Sequence, residues 1–227
     1  MTIGEIQSTV IACRKCPRLV RWREKTAREK VKRYANERYW GKPIPGFGTT
    51  DAGLLLIGLA PAAHGGNRTG RMFTGDRSGD WLFRALHKAG FANKPESVSR
   101  ADGLRLTGCF ITATCRCAPP QNKLLPVEIR RCRPFLLDEL RLLKRVRVIV
   151  GLGRVGFDSA VACAKELGWM EPGRRYVFGH GVEYPLIGGR TILGCYHPSQ
   201  QNTFTGKLTE EMLDAVFQRA NRLLGSR

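Results

Sequence analysis

Eight cysteines carry the first chemistry in this chain of 227 residues. Cys13 and Cys16 form a CxxC pair, and Cys117 and Cys132 form a wider pair with fourteen residues between them. Four thiolates in two pairs suit zinc or an iron–sulfur cluster. A CxxC alone is also the spacing of a redox couple. Cys115 competes for a place in the set, because on a strand it shares a face with Cys117. Cys109 and Cys195 fall in apolar, strand-like segments and Cys163 in a helix-like one, where buried structural thiols are the ordinary reading. A secreted disulfide framework does not fit a chain of this length whose start, MTIGEIQSTVIACRKC, lacks the long apolar stretch of a secretory signal.

Two loops hold the other reactive side chains. The first, GLAPAAHGGNRTGRMFTGDRSGDW from Gly58 to Trp81, is rich in glycine, which lets a backbone approach a ligand closely. It also contains His64, Phe73, Asp76 and Asp80. Such a loop can build a pocket for a flat base: the ring stacks on Phe73, backbone amides meet its polar edges, and Asp76 handles water. The alternative is a turn-rich connection with Asp76 or Ser78 as a helix N-cap. The second loop is CYHPSQQN, Cys195 to Asn202. A neutral His197 there can donate a hydrogen bond to a developing anion, or be a satisfied structural histidine. Ser199, Gln200 and Gln201 suit phosphate and groove contacts.

These loops must be positioned by regular elements. Apolar runs at Gly53–Leu59, Gly108–Cys115, Arg147–Gly153 and Thr191–Tyr196 read as strands. Helical spacing appears at Trp81–Gly90, Gly156–Leu167 and Leu208–Leu224. Val127–Lys144 also reads as helical, but Pro134 disfavours a continuous helix and predicts a short turn before it and a longer helix from it. Strands alternating with helices predict an α/β fold with a four-stranded parallel sheet flanked by helices on both faces. In such sheets ligands bind beyond the carboxyl ends of the strands, where both loops begin. GLGRVG, Gly151 to Gly156, lacks the full dinucleotide spacing and an acidic partner, and is read as a tight strand–helix turn. The chain is expected to be a single domain over residues 1–227, with a basic helical segment over residues 1–50 that supplies two of the cysteines.

Thirty-eight Lys and Arg against nineteen Asp and Glu give a formal charge of +19. Many of the cations sit in two stretches, Arg21 to Lys32 and Arg130 to Arg147. This excess points to a polyanion, nucleic acid above all, against the alternative of solvated helix faces. A hydrophobic content of 42% argues against disorder, and no apolar run reaches membrane-spanning length. A cytoplasmic protein, a monomer without a membrane partner, is expected.

GLAPAAHG, GRMFTGD, RCAPPQNK and YHPSQQNTFTG together with the CxxC resemble the type-b, iron–sulfur-containing uracil-DNA glycosylases over nearly the whole chain. The resemblance implies a 4Fe-4S cluster on Cys13, Cys16, Cys117 and Cys132. It implies excision of uracil from DNA by hydrolysis of the N-glycosidic bond, and a range extending to deaminated purines such as hypoxanthine. Ala62 and Ala63 stand where sister glycosylases place a polar catalytic residue, which shifts the water-handling role to Asp76. His197 is then the donor to the departing base. Gly58, Ala60, His64, Phe73 and Asn122 form the base pocket, and Ser199, Gln200 and Gln201 meet DNA. Cys115 departs from the pattern, where an apolar residue is expected. An electron-transfer iron–sulfur protein and a non-catalytic zinc DNA-binding module remain the other classes.

Overall fold

The computed structural model describes residues 1–225; the last two residues of the expected single domain lie outside the described residues. The chain begins with α1 (Ile3–Ala12) and α2 (Pro17–Glu29), followed by the short strand β1 (Phe47–Gly48). Strand β2 (Leu54–Gly58) leads through α3 (Gly66–Thr69) and α4 (Arg77–Lys88) to β3 (Cys109–Ala113). Helix α5 (Pro126–Leu142), β4 (Val148–Leu152), α6 (Gly153–Glu166), β5 (Glu183–Leu186), β6 (Arg190–Cys195), α7 (Gln200–Phe204) and α8 (Glu210–Gly225) complete the order.

The sheet runs β1-β3-β2-β4-β6-β5. Its four central strands are parallel, as the sequence pattern predicts, and the antiparallel β1 and β5 extend the two edges. Those edge strands have two and four residues, too short for a periodicity to announce them. Every residue of β2, β3 and β4 is buried, because helices cover both faces. Alternation divides β2 between two cores. Leu54 and Leu56 pack with Leu82, Phe83 and Leu86 of α4 and Phe217 of α8. Leu55 and Ile57 pack with Ile6 and Val10 of α1, Phe135 and Leu140 of α5, and Phe157 of α6.

Helix α5 differs from the sequence expectation. It is one continuous helix with Pro134 inside it. Pro134 and Arg130 both face solvent, so the carbonyl that loses its partner is left to water, while Phe135, Leu136 and Leu140 keep their places in the core. Pro126 starts the helix at its first turn, and Glu128 accepts from the Leu125 N–H at 2.8 Å.

The GLGRVG turn is a packing device. Gly153 has φ +78° at the start of α6. A Cβ on Gly156 would collide with the Ile57 carbonyl, so α6 can lie against β2 only because that residue is glycine. Gly156→Ala should therefore cost about 1–3 kcal/mol through forced separation of α6 and β2. Urea denaturation checks this; unchanged stability would show that the contact has room to relax.

Candidate active site

Order along the sheet reverses at β2, which lies between β3 and β4, and a pocket opens at these carboxyl ends. It has about 320 Å³ of empty space, part of it open to solvent, and is lined by Gly58, Ala60, Pro61, Ala62, Met72, Phe73, Asp76, Ser78, Ala113 and His197. Gly58 ends β2, Ala113 ends β3, and His197 stands two residues beyond β6.

Phe73 adopts φ +51°, a left-handed conformation uncommon for an aromatic residue. It lies over Gly58, where any Cβ would crowd the ring at 2.9 Å. The Phe73 and His197 rings are 5.8 Å apart at a 31° tilt. A network behind the loop holds this geometry. Buried Arg71 donates to both carboxylate oxygens of Asp102 at 3.0 and 2.6 Å, to Ser97 Oγ at 2.7 Å and to Thr74 Oγ1 at 2.9 Å. Burial alone would push the Asp102 carboxyl up, but Arg71 and the N–H groups of Leu104, Ser99 and Val98 outweigh it and hold it well below the usual range. Arg68 adds a second tie: it donates to the His64 carbonyl at 2.7 Å and the Gly75 carbonyl at 3.0 Å, and pairs with Glu37.

Both readings of Asp76 hold at once. It is the N-cap of α4, with Oδ1 accepting from Gly79 N–H at 3.1 Å, and it also lines the pocket. Protein encloses the carboxylate except toward that opening, and burial raises its pKa to about 6, against the Gly79 hydrogen bond, which lowers it. His197 is similarly enclosed. Burial lowers its pKa to about 4, so the ring is neutral at pH 7. Its carbonyl accepts from Asn202 Nδ2 at 2.8 Å and from Ser199 N–H at 2.8 Å, which anchors the backbone and leaves the ring facing the pocket.

Of the base-pocket residues expected from sequence, Gly58, Ala60 and Phe73 line the pocket with Asp76 and His197. His64 is not among its walls; its Nδ1 pairs with the Tyr39 hydroxyl at 3.0 Å. Asn122 is exposed on a short 3₁₀ turn, with φ +56° after Gln121 at +52°. Ser199 caps α7 with its own hydroxyl, and Gln200 and Gln201 are exposed beside it. Met72, Ser78 and Ala113 were missed; the first two lie inside the quoted loop, but only the end of β3 brings in Ala113.

A second cavity, of about 360 Å³, is lined by Cys13, Cys16, Cys115, Cys117 and Cys132 together with Lys15, Arg23, Arg116 and Arg131. Cys13 ends α1 and Cys16 caps α2, so the CxxC is the turn between them. Arg18 of α2 grips Glu128 of α5 at 2.8 and 2.7 Å and the Lys123 carbonyl at 2.9 Å. Arg131 reaches the Lys15 carbonyl at 3.1 Å. These ties join the two halves of the cysteine set. Among the described residues, no three His, Cys, Asp or Glu side chains converge as they would around one metal ion. Cys115 hydrogen-bonds Cys132, which raises its own pKa and lowers that of Cys132. Several buried guanidinium nitrogens here have no partner, Arg23 Nε and Arg116 Nε and Nη1 among them. Thiol donors, surrounding cations and orphaned N–H groups fit an anionic thiolate-held cluster. Cys109, Cys163 and Cys195 are fully buried elsewhere in the core.

A parallel sheet with a pocket at its switch point, bearing a buried carboxylate and a neutral histidine, defines a class. The family model of the uracil DNA glycosylase superfamily matches residues 45–221, and the chain belongs to that superfamily. Within it, the chain is similar to the type-5 uracil-DNA glycosylase of Mycobacterium bovis, at 52% identity over 99% of this chain and 82% of that one. The type-5 uracil-DNA glycosylase of Thermus thermophilus is 50% identical over 96% of each chain. A type-4 uracil-DNA glycosylase of Pyrobaculum aerophilum matches only 58% of each chain, at 31% identity.

Asp76 links the site to stability. Its carboxyl titrates near 3.8 when unfolded and near 6 when folded, so the folded state keeps a proton that the unfolded state has lost between those values. Stability therefore falls as pH rises through that window. Asp76→Asn keeps a capping side chain but cannot ionise. It should be more stable than the parent by on the order of 3 kcal/mol above pH 6, with the advantage gone near pH 4. Paired urea titrations at pH 4 and 7.5 measure it; equal gains at both pH values would contradict it.

Proposed function

We propose that the protein excises uracil from DNA by hydrolysing the N-glycosidic bond, leaving an abasic site, and that hypoxanthine shares the pocket. The observation that carries this reading is the pairing of Asp76 and His197 across a base-sized pocket walled by Phe73, in a chain similar to type-5 uracil-DNA glycosylases. The net charge of +19 supplies the attraction to the DNA backbone.

A base enters such a pocket only after the nucleotide rotates out of the stack. The extruded ring stacks on Phe73. As the bond from the sugar C1′ to the base nitrogen breaks, positive charge grows on the sugar and negative charge on the base. Neutral His197 donates an N–H to the base carbonyl oxygen, where the anion develops. Ionised Asp76 offsets the sugar's positive charge and orients water toward C1′. It accepts the proton that the water loses as its oxygen bonds to carbon. A raised pKa improves it as a base while leaving it ionised at neutral pH. Ala62 at the pocket wall offers no polar group for this step, and among the described residues no lysine lines the pocket. Water rather than an amine is then the nucleophile, which makes the enzyme monofunctional.

Cys13, Cys16, Cys117 and Cys132 hold a 4Fe-4S cluster in this reading, which their shared cavity and the arginines lining it support. When bound it supplies a covalent brace among the α1–α2 turn, the exit of β3 and α5. The exposed turn with Asn122, and Ser199, Gln200 and Gln201 beside His197, form the proposed DNA-facing rim.

Single-turnover excision should fall about tenfold per pH unit below pH 6, as Asp76 protonates. No second break should appear above about pH 4, because His197 is already neutral. Asp76→Ala should remove the break and most of the rate while DNA affinity stays near parental. His197→Ala should cost on the order of a hundredfold or more, least for the base that leaves most easily. Rates on uracil and hypoxanthine DNA measure both; parental rates in both variants would sink the assignment.

Anaerobically purified protein should contain iron and sulfide rather than stoichiometric zinc. Cys115→Ala should retain that iron and Cys117→Ala should lose it. The reverse pattern in an iron assay would exchange their roles.

A further inference from the structure

Two arginines in the wall of the thiol cavity have no place in the excision chemistry, and both are 2% exposed. Arg23 comes from α2, one of the helices flanking the CxxC. Its Nη1 donates to Cys117 Sγ at 2.9 Å, and both terminal nitrogens reach the Cys13 carbonyl at 3.3 Å. Its Nε has no partner, and the carboxylate paired with it, Glu24, is 3.9 Å away and partly exposed. Arg116 stands between Cys115 and Cys117. One nitrogen pairs with buried Glu139 at 2.5 Å, an oxygen shared with Thr112 Oγ1 at 2.8 Å. Its Nε and Nη1 have no partner. A buried donor left unpaired keeps its full desolvation penalty, which is larger when the group is charged. Three such donors on two residues lining one cavity suit an acceptor there, although Glu139 Oε1 beside Arg116 is unpartnered as well. Glu139 already meets the charge of Arg116, whereas Arg23 has only the more distant Glu24, so an anionic acceptor suits the Arg23 side above all.

We infer that Arg23 and Arg116 are a built-in pair of N–H donors to the sulfurs of the cluster held by the surrounding cysteines, setting its reduction potential and its retention. This rests on the cluster reading given above. Arg23 approaches from the Cys13 and Cys117 side and Arg116 from the other end, next to Cys115 and close to Cys132. Four thiolates on an iron–sulfide core leave a net anion, and its sulfurs accept hydrogen bonds. Such bonds, and nearby positive charge, favour the more negative, reduced state and so raise the potential. Both residues are positioning residues for the cofactor and touch no substrate.

The test uses the whole protein, purified without oxygen, and its Arg23→Gln and Arg116→Gln variants. Iron and sulfide per chain are measured first, then the potential by dithionite titration followed by electron paramagnetic resonance, then iron release to a chelator. Each variant should titrate at a more negative potential than the parent and lose iron about tenfold faster. Variants that hold a full cluster at the parental potential and release rate overturn the inference and leave the cluster reading standing. A parent without iron overturns the cluster reading, and the inference with it. Should a variant fail to fold, the parent still decides: labelled with nitrogen-15 in arginine alone and reduced, it should show arginine nitrogen coupling to the cluster spin by pulsed resonance. Absence of that coupling overturns the inference.

Discussion

Two backbone hydrogen bonds past the end of the parallel pairing tie the molecule together: Thr114 N–H to the Gly58 carbonyl at 2.9 Å and Cys115 N–H to the Leu59 carbonyl at 3.1 Å. They extend the β2–β3 ladder beyond both strands. Ala113, just before them, lines the base-sized pocket, while Cys115 and Cys117 line the thiol cavity. One short exit segment therefore serves both sites. Thr114 locks it further, its hydroxyl bonding the Gly58 carbonyl at 3.1 Å and Ser159 of α6 at 2.9 Å. Whatever braces the cysteines braces the edge of the pocket, without any need for the two to share chemistry.

Around that segment the protein sets opposite electrostatic tasks side by side. Burial pushes Asp76 up and His197 down, so both pKa values shift toward the neutral form, yet at pH 7 only the carboxylate is charged. A charged carboxylate and a neutral imidazole follow from one low-dielectric enclosure. Such an enclosure is destabilising, and so is Phe73 at positive φ. The Arg71–Asp102–Ser97–Thr74 network offsets it. It fixes the loop from behind with a buried bidentate ion pair that also donates to Thr74 and Ser97. Arg68 binds the same loop to the His64 turn and to Glu37. The pocket is thus held open by polar contacts as much as by the apolar core.

The sequence by itself determined the parts in which chemistry and periodicity are local. The four central strands follow from short apolar runs, and the placement of Asp76, Phe73 and His197 follows from the rule that loops at carboxyl ends build sites. Cys109, Cys163 and Cys195 were legible as core thiols because their segments are apolar. The tertiary structure decided what depends on neighbours distant in the chain. Pro134 is tolerated inside α5 because it faces solvent, a fact that no local pattern carries. His64 turned toward Tyr39, twenty-five residues away, and not into the pocket. Cys115, a competitor for the set by sequence alone, lines the thiol cavity together with residues of α2 and α5. Arg23 and Arg116 read in sequence as two more cations among thirty-eight. Only folding buries them against cysteines up to 94 positions away, since a buried charge is defined by its surroundings and not by its own identity.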